Sequence, residues 1–133
     1  MNKQAKITTV LCASLIIKTA IALTGMDSNG ISWIYTVKGN GAYIGNGQFQ
    51  SAIPSSTTGI VRIPEQLGGC PVVGISGGAF WNCNELMSIE LHDGIKSIGG
   101  YAFAGCVGLE AFHIPNSVES IGDYAFANCS SLK

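Results

Sequence analysis

Apolar residues recur along the second half of this chain at one fixed step. Val72, Ile95 and Val118 are 23 residues apart, and Ile75, Ile98 and Ile121 keep the same interval. Ala79-Phe80, Ala102-Phe103 and Ala125-Phe126 follow in phase, then Cys83, Cys106 and Cys129, then Leu86, Leu109 and Leu132. A constant period of this size marks a solenoid, in which each coil stacks on the next and none buries its apolar face alone. Spacing within a coil assigns its walls. Leu86, Ile89 and Leu91, like Leu109, Phe112 and Ile114, predict a short strand with these residues inward and those between them outward. Such strands pair in parallel from coil to coil at about 4.8 Å. The pairs Val72/Ile75, Ile95/Ile98 and Val118/Ile121 point inward from the opposite wall. Gly99 and Gly122 read as bends, and each Ala-Phe pair as a compact helical turn with its ring in the core.

Before the coils the pattern changes to period two. Ile31, Trp33, Tyr35 and Val37 alternate with Ser32, Ile34, Thr36 and Lys38, which predicts a strand. Gly39-Asn40 suits a tight hairpin turn, and Ala42-Tyr43-Ile44 is the returning strand. Residues 48–59 are polar and read as a loop. The hairpin, with Trp33 and Tyr35, fits a cap over the exposed end of the first coil; an aromatic binding platform is the other reading of the same residues. Gly39, Gly41 and Gly45 lack the G-x-G-x-x-G spacing and a following helix, so they read as turns rather than a phosphate loop.

Charge separates the first 22 residues from the rest. The chain carries a net −1 overall, but Lys3, Lys6 and Lys18 all precede residue 23. Lys38, Arg62, Lys96 and Lys133 then face eight acidic residues. A chain of that balance lacks the basic patch that nucleic-acid binding requires. The early lysines precede the apolar stretch Thr8–Ile17, and Ala20-Ile21-Ala22 offers small residues for a cut after Ala22. This order predicts a cleaved secretory signal peptide over residues 1–22, with no membrane span afterwards. The apolar stretch is shorter than the roughly 20 residues a spanning helix needs, and Val10-Leu11 before Cys12 does not suit lipidation.

The run from Ile114-Pro115-Asn116-Ser117-Val118 through Ile121-Gly122-Asp123-Tyr124-Ala125-Phe126 to Cys129-Ser130-Ser131-Leu132 resembles the BspA-like class of bacterial leucine-rich repeats. A longer opening coil, Arg62-Ile63-Pro64 through Gly69-Cys70-Pro71 to Ala79-Phe80, also resembles the start of such arrays. The resemblance covers about residues 28–133. It implies secreted or surface-attached proteins, some of them adhesins that bind host or neighbouring-cell proteins. The expected fold is an α/β-type solenoid, mostly β, with short parallel strands, short helical turns and an N-terminal β-hairpin cap. Its expected organisation is a leader over 1–22, a cap region over 23–60 and a solenoid of about three coils over 61–133. The array stops at Leu132-Lys133, where a further strand should begin, so the solenoid is expected to be C-terminally incomplete. An open edge of that kind favours edge-to-edge self-association.

Candidate chemistry is sparse. The three in-phase cysteines read as buried thiols, since a 23-residue ladder spreads sulfurs along a line unsuited to zinc. Parallel neighbours also make the disulfide torsion awkward. Cys70, in the longer first connection, is expected to be the most exposed thiol. No G-x-S-x-G, H-E-x-x-H or P-loop spacing occurs, and Glu90 with His113 on an open sheet face would have nothing to exclude water. The expected function is therefore non-catalytic, with no cofactor or metal. The expected role is recognition of an extracellular or cell-surface protein through the outward strand residues Arg62, Ser88, Glu90, Ala111 and His113, with His92 at the margin. A solvated strand face fits those residues too. The alternatives are a structural fragment of a longer array, or a glycan-binding surface using Trp33, Tyr101 and Tyr124.

Overall fold

The computed structural model describes residues 22–133. The predicted leader therefore lies, apart from Ala22, outside the described residues. Ten strands are present among the described residues: β1 Leu23–Met26, β2 Ser32–Lys38, β3 Gly41–Ile44, β4 Gly59–Arg62, β5 Gln66–Leu67, β6 Cys70–Ile75, β7 Leu86–Glu90, β8 Ser97–Ile98, β9 Ala111–Phe112 and β10 Ser120–Ile121. They form two sheets. The larger runs β1-β2-β3-β6-β8-β10, with β5 paired to β6; the smaller runs β4-β7-β9. Strands from successive coils are parallel in both, as in β7 with β9 and β8 with β10.

The core lies between the sheets. Val61 and Ile89 enter it from the smaller sheet, and Val72, Ile75, Ile95 and Ile98 from the opposite wall. Each such side chain contributes about 1.5–3 kcal/mol on burial. Phe80, Phe103 and Phe126 stack in parallel up the third wall, with centroids 5.0 and 5.4 Å apart. Trp33 packs edge-on against Phe80, with ring centroids 6.2 Å apart. The hairpin β2–β3 turns through Gly39 and Asn40, with Gly39 in the left-handed region at φ 60°.

No helix occurs among the described residues, so the Ala-Phe segments are not the short helical turns expected. The backbone explains why. Amides of Gly78, Phe80 and Asn82 donate sideways to Gly100, Ala102 and Ala104 of the next coil. Only the amides between them, such as Trp81 to Gly78 and Cys83 to Phe80, close local turns. Every second donor is thus withdrawn from the ladder a helix needs. Left-handed φ at Tyr101 (58°) and Tyr124 (59°), in phase with Gly78 (67°), aims the alternate amides outward. A non-glycine residue held there costs on the order of 1 kcal/mol or more.

Gly99 and Gly122 do more than bend the chain. A β-carbon on Gly99 would lie 2.4 Å from the Gly77 nitrogen, and one on Gly122 2.4 Å from the Gly100 nitrogen. These are places where one coil's backbone rests on the next. Cys70 also differs from expectation. The two-residue strand β5 pairs back antiparallel on β6, and Cys70 is 1% exposed.

Candidate recognition surface

On the smaller sheet, Val61 and Ile89 face the core, so the residues beside them face out. Cross-strand register then builds two outward rows. Ile60 pairs with Ser88 and Ser88 with Ala111; Arg62 pairs with Glu90. Carrying the register one step past β9 sets His113 beside Glu90. Arg62 Nε donates to Glu90 Oε2 across the strands. Both side chains are largely exposed, so this pair orients two long side chains and contributes at most about 1 kcal/mol. Ser88, Glu90, Leu91, Ala111, Phe112 and His113 line a shallow recess of about 410 Å³ on this face.

Five of the six sequence-predicted residues therefore share one sheet face. His92 does not. Its Nδ1 accepts from the Gly94 amide at 3.0 Å, which places the ring proton on Nε2, and that group donates to the Pro64 carbonyl at 3.2 Å. His92 is a staple between two coils, beside a separate recess shared with Glu65, Gln66 and Asp93. Sequence reasoning missed Ile60, which is 63% exposed at the head of the first outward row. The signal was available: with Val61 and Ile63 inward, period two sends Ile60 out.

Glu90 is engaged by Arg62, and the recess is open to solvent. Among the described residues no cluster of three or more His, Cys, Asp and Glu side chains is placed to hold a metal. The in-phase thiols are structural. Cys106 Sγ donates to the Phe80 carbonyl and Cys129 Sγ to the Phe103 carbonyl, each at 3.1 Å. Burial pushes the Cys106 thiol up to about 12, with the neighbouring Cys83 and Cys129 adding to the effect.

The aromatics named for a glycan platform are differently placed. Trp33 is fully buried, its indole N–H donating to Asp27 Oδ2 at 2.8 Å. Tyr101 is flanked by Tyr124, stacked at 5.1 Å, and by Phe49 at 5.6 Å. Both tyrosines stay exposed, Tyr124 the more so, and the Phe49 ring meets Tyr101 at a tilt.

The sequence matches the family described as the BspA type leucine-rich repeat region, in six copies over residues 43–133. No curated protein matches it. Among solved structures, a leucine-rich repeat protein of T. pallidum is 26% identical with a TM-score of 0.62, the match covering 84% of this chain and 44% of that one. A leucine-rich cell surface protein from Faecalibacterium prausnitzii is 24% identical, also with a TM-score of 0.62, over 84% of this chain and 29% of its own. A leucine-rich repeat protein from Bacteroides ovatus is 24% identical with a TM-score of 0.53, over 90% of this chain and 28% of its own. The chain thus spans less than half the length of each solved structure it matches.

Proposed function

This chain belongs to the BspA-type leucine-rich repeat family, whose repeats generally serve as non-catalytic binding modules, and from that premise we propose that it recognises an extracellular or cell-surface protein through the outward face of β4, β7 and β9. The observation that carries this reading is the register itself. It gathers Ile60, Arg62, Ser88, Glu90, Ala111 and His113 on one surface with an exposed apolar residue beside an ordered ion pair. Apolar anchors rimmed by oriented polar groups are what protein interfaces use. Export, by the leader-like order of residues 1–22, puts that surface outside the cell, where an adhesin-like role fits it. The hairpin β2–β3 serves in this proposal as the cap: Trp33 against Phe80 and β3 against β6 support it.

The test is binding of the purified chain to a panel of immobilised extracellular and cell-surface proteins. Ile60→Asp and Ala111→Arg should each reduce any specific signal about tenfold or more, as central interface changes do. A signal that survives both substitutions would move the contact to another face, and a panel without any binder would remove the proposal.

A further inference from the structure

The opposite, outward face of the larger sheet carries a second row that repeats alone do not reveal. Thr36 pairs with Tyr43, Tyr43 with Gly74, Gly74 with Ser97 and Ser97 with Ser120. The row crosses five strands, β2, β3, β6, β8 and β10, with one register shift between Ala42 and Tyr43 at the step from β3 to β6. Its neighbours along each strand, such as Val37, Ala42, Ile44 and Ile98, are buried on the core side, which fixes the row as outward. It lines a recess of about 400 Å³.

Three features distinguish this recess from an ordinary solvated sheet. The first is Thr36. It is only 3% exposed, yet its hydroxyl has no hydrogen-bond partner among the described residues, and it lines the recess. No side-chain polar atom sealed from solvent lacks a partner, so the Thr36 hydroxyl keeps its access through the recess. A side chain so covered, with its polar atom unpaired, is poised to be satisfied by what enters. The second is Gly74. A β-carbon there would lie 2.5 Å from the Tyr43 ring and 2.8 Å from Ser97 Oγ, so glycine lets the ring and the hydroxyl close over a flat floor. The third is charge. Among the described residues no carboxylate lines the recess, and Lys38, whose Nζ lies 5.3 Å from the Tyr43 ring centroid, is the one cationic residue that does. That is unusual on a chain whose residues after 22 carry twice as many acids as bases.

We propose that this row is a carbohydrate-binding groove for an acidic glycan. Hydroxyls of Thr36, Ser97 and Ser120 both donate and accept, as the hydroxyls of a sugar do. Tyr43 offers an aromatic surface beside them, and the Lys38 ammonium meets a carboxylate or sulfate on the chain. A linear oligosaccharide would lie across the strands, along the axis of the solenoid. The groove is separate from the β4-β7-β9 face and stands whether or not that face binds protein.

The experiment is saturation-transfer NMR and calorimetric titration of the full purified chain. The probes are uronate-, sialate- and sulfate-bearing oligosaccharides, beside neutral oligosaccharides of equal length. At least one acidic probe should bind, and its neutral counterpart should bind about tenfold more weakly, the loss expected on removing a charge-assisted bond. Thr36→Val, which keeps shape and removes the hydroxyl, and Lys38→Met should each weaken that probe at least several-fold. Arg62→Ala, on the other sheet, should leave it unchanged. Thermal melts confirm that each variant is folded. No binding by any probe, equal binding of neutral and acidic probes, or binding indifferent to Thr36→Val and Lys38→Met would each overturn the proposal; so would a groove that takes acidic peptides in preference to every glycan.

Discussion

The two ends of the coil stack differ in what packs against them. At the N-terminal end, residues 51 and 52 lie against the first coil, within the region that matches the repeat family. Ala52 donates its amide to Ala79, Ser51 Oγ meets Cys83 Sγ at 3.1 Å, and Trp33 packs edge-on against Phe80. At the other end β10 is the edge strand of the larger sheet. Ile75 and Ile98 are each 2% exposed, while Ile121, at the same position in the next coil, is 45% exposed. Identical residues in identical local geometry thus differ in burial because of their neighbours. In a stacked array, burial belongs to the interface between coils rather than to the residue.

Substitutions in phase can break or sharpen that comparison. The largest effect is expected at the rings. Phe103→Ala should cost about 3–5 kcal/mol, since Phe103 is fully buried between Phe80 and Phe126. Phe126→Ala should cost less than half of that, as read by urea denaturation. A smaller contrast is expected for the isoleucines: about 2–4 kcal/mol for Ile98→Ala and under about 1 kcal/mol for Ile121→Ala. Equal costs at both positions would mean that something covers the β10 end in solution, and light scattering would show whether it is a second copy. The smallest contrast is in the thiols. Cys129, half-buried near the open end, should react with a thiol reagent well before buried Cys106. Because burial raises the Cys106 thiol, the folded state holds its proton where the unfolded chain releases it. Stability should therefore fall as pH rises from about 9 towards about 12, and Cys106→Ala should flatten that slope.

Much of the solenoid was legible because six positions repeat in one phase, which fixes both the walls and the inward residues. Period two then told outward from inward on β4 and β7. What it could not supply was register between elements that do not repeat. The row from Thr36 to Ser120 joins a hairpin to three coils, and a bulge between Ala42 and Tyr43 shifts its pairing with β6. No spacing in the sequence encodes that alignment. Cys70 differs for a related reason: a connection long enough to read as a loop folds back as β5, and Cys70 opens β6 in register with Leu67. His92 looked like the end of a strand face, but a local acceptor geometry with Gly94 turned its ring away to Pro64.

Phe49 carries a consequence for how such a chain can lengthen. Its ring sits against Tyr101, and its backbone fills the space over Gly78, where a β-carbon would lie 2.8 Å from Phe49 Cα. The first coil therefore has glycine at the position where the next two have tyrosine. Duplication of a 23-residue unit after Tyr101 adds another rung and leaves Phe49 in place. Duplication of the first unit would copy a glycine that no longer has a phenylalanine above it, leaving a gap in the ring ladder. Growth by gene duplication is thus tolerated at one end of this array and penalised at the other, and the first coil is the part of the repeat that descent should keep in single copy.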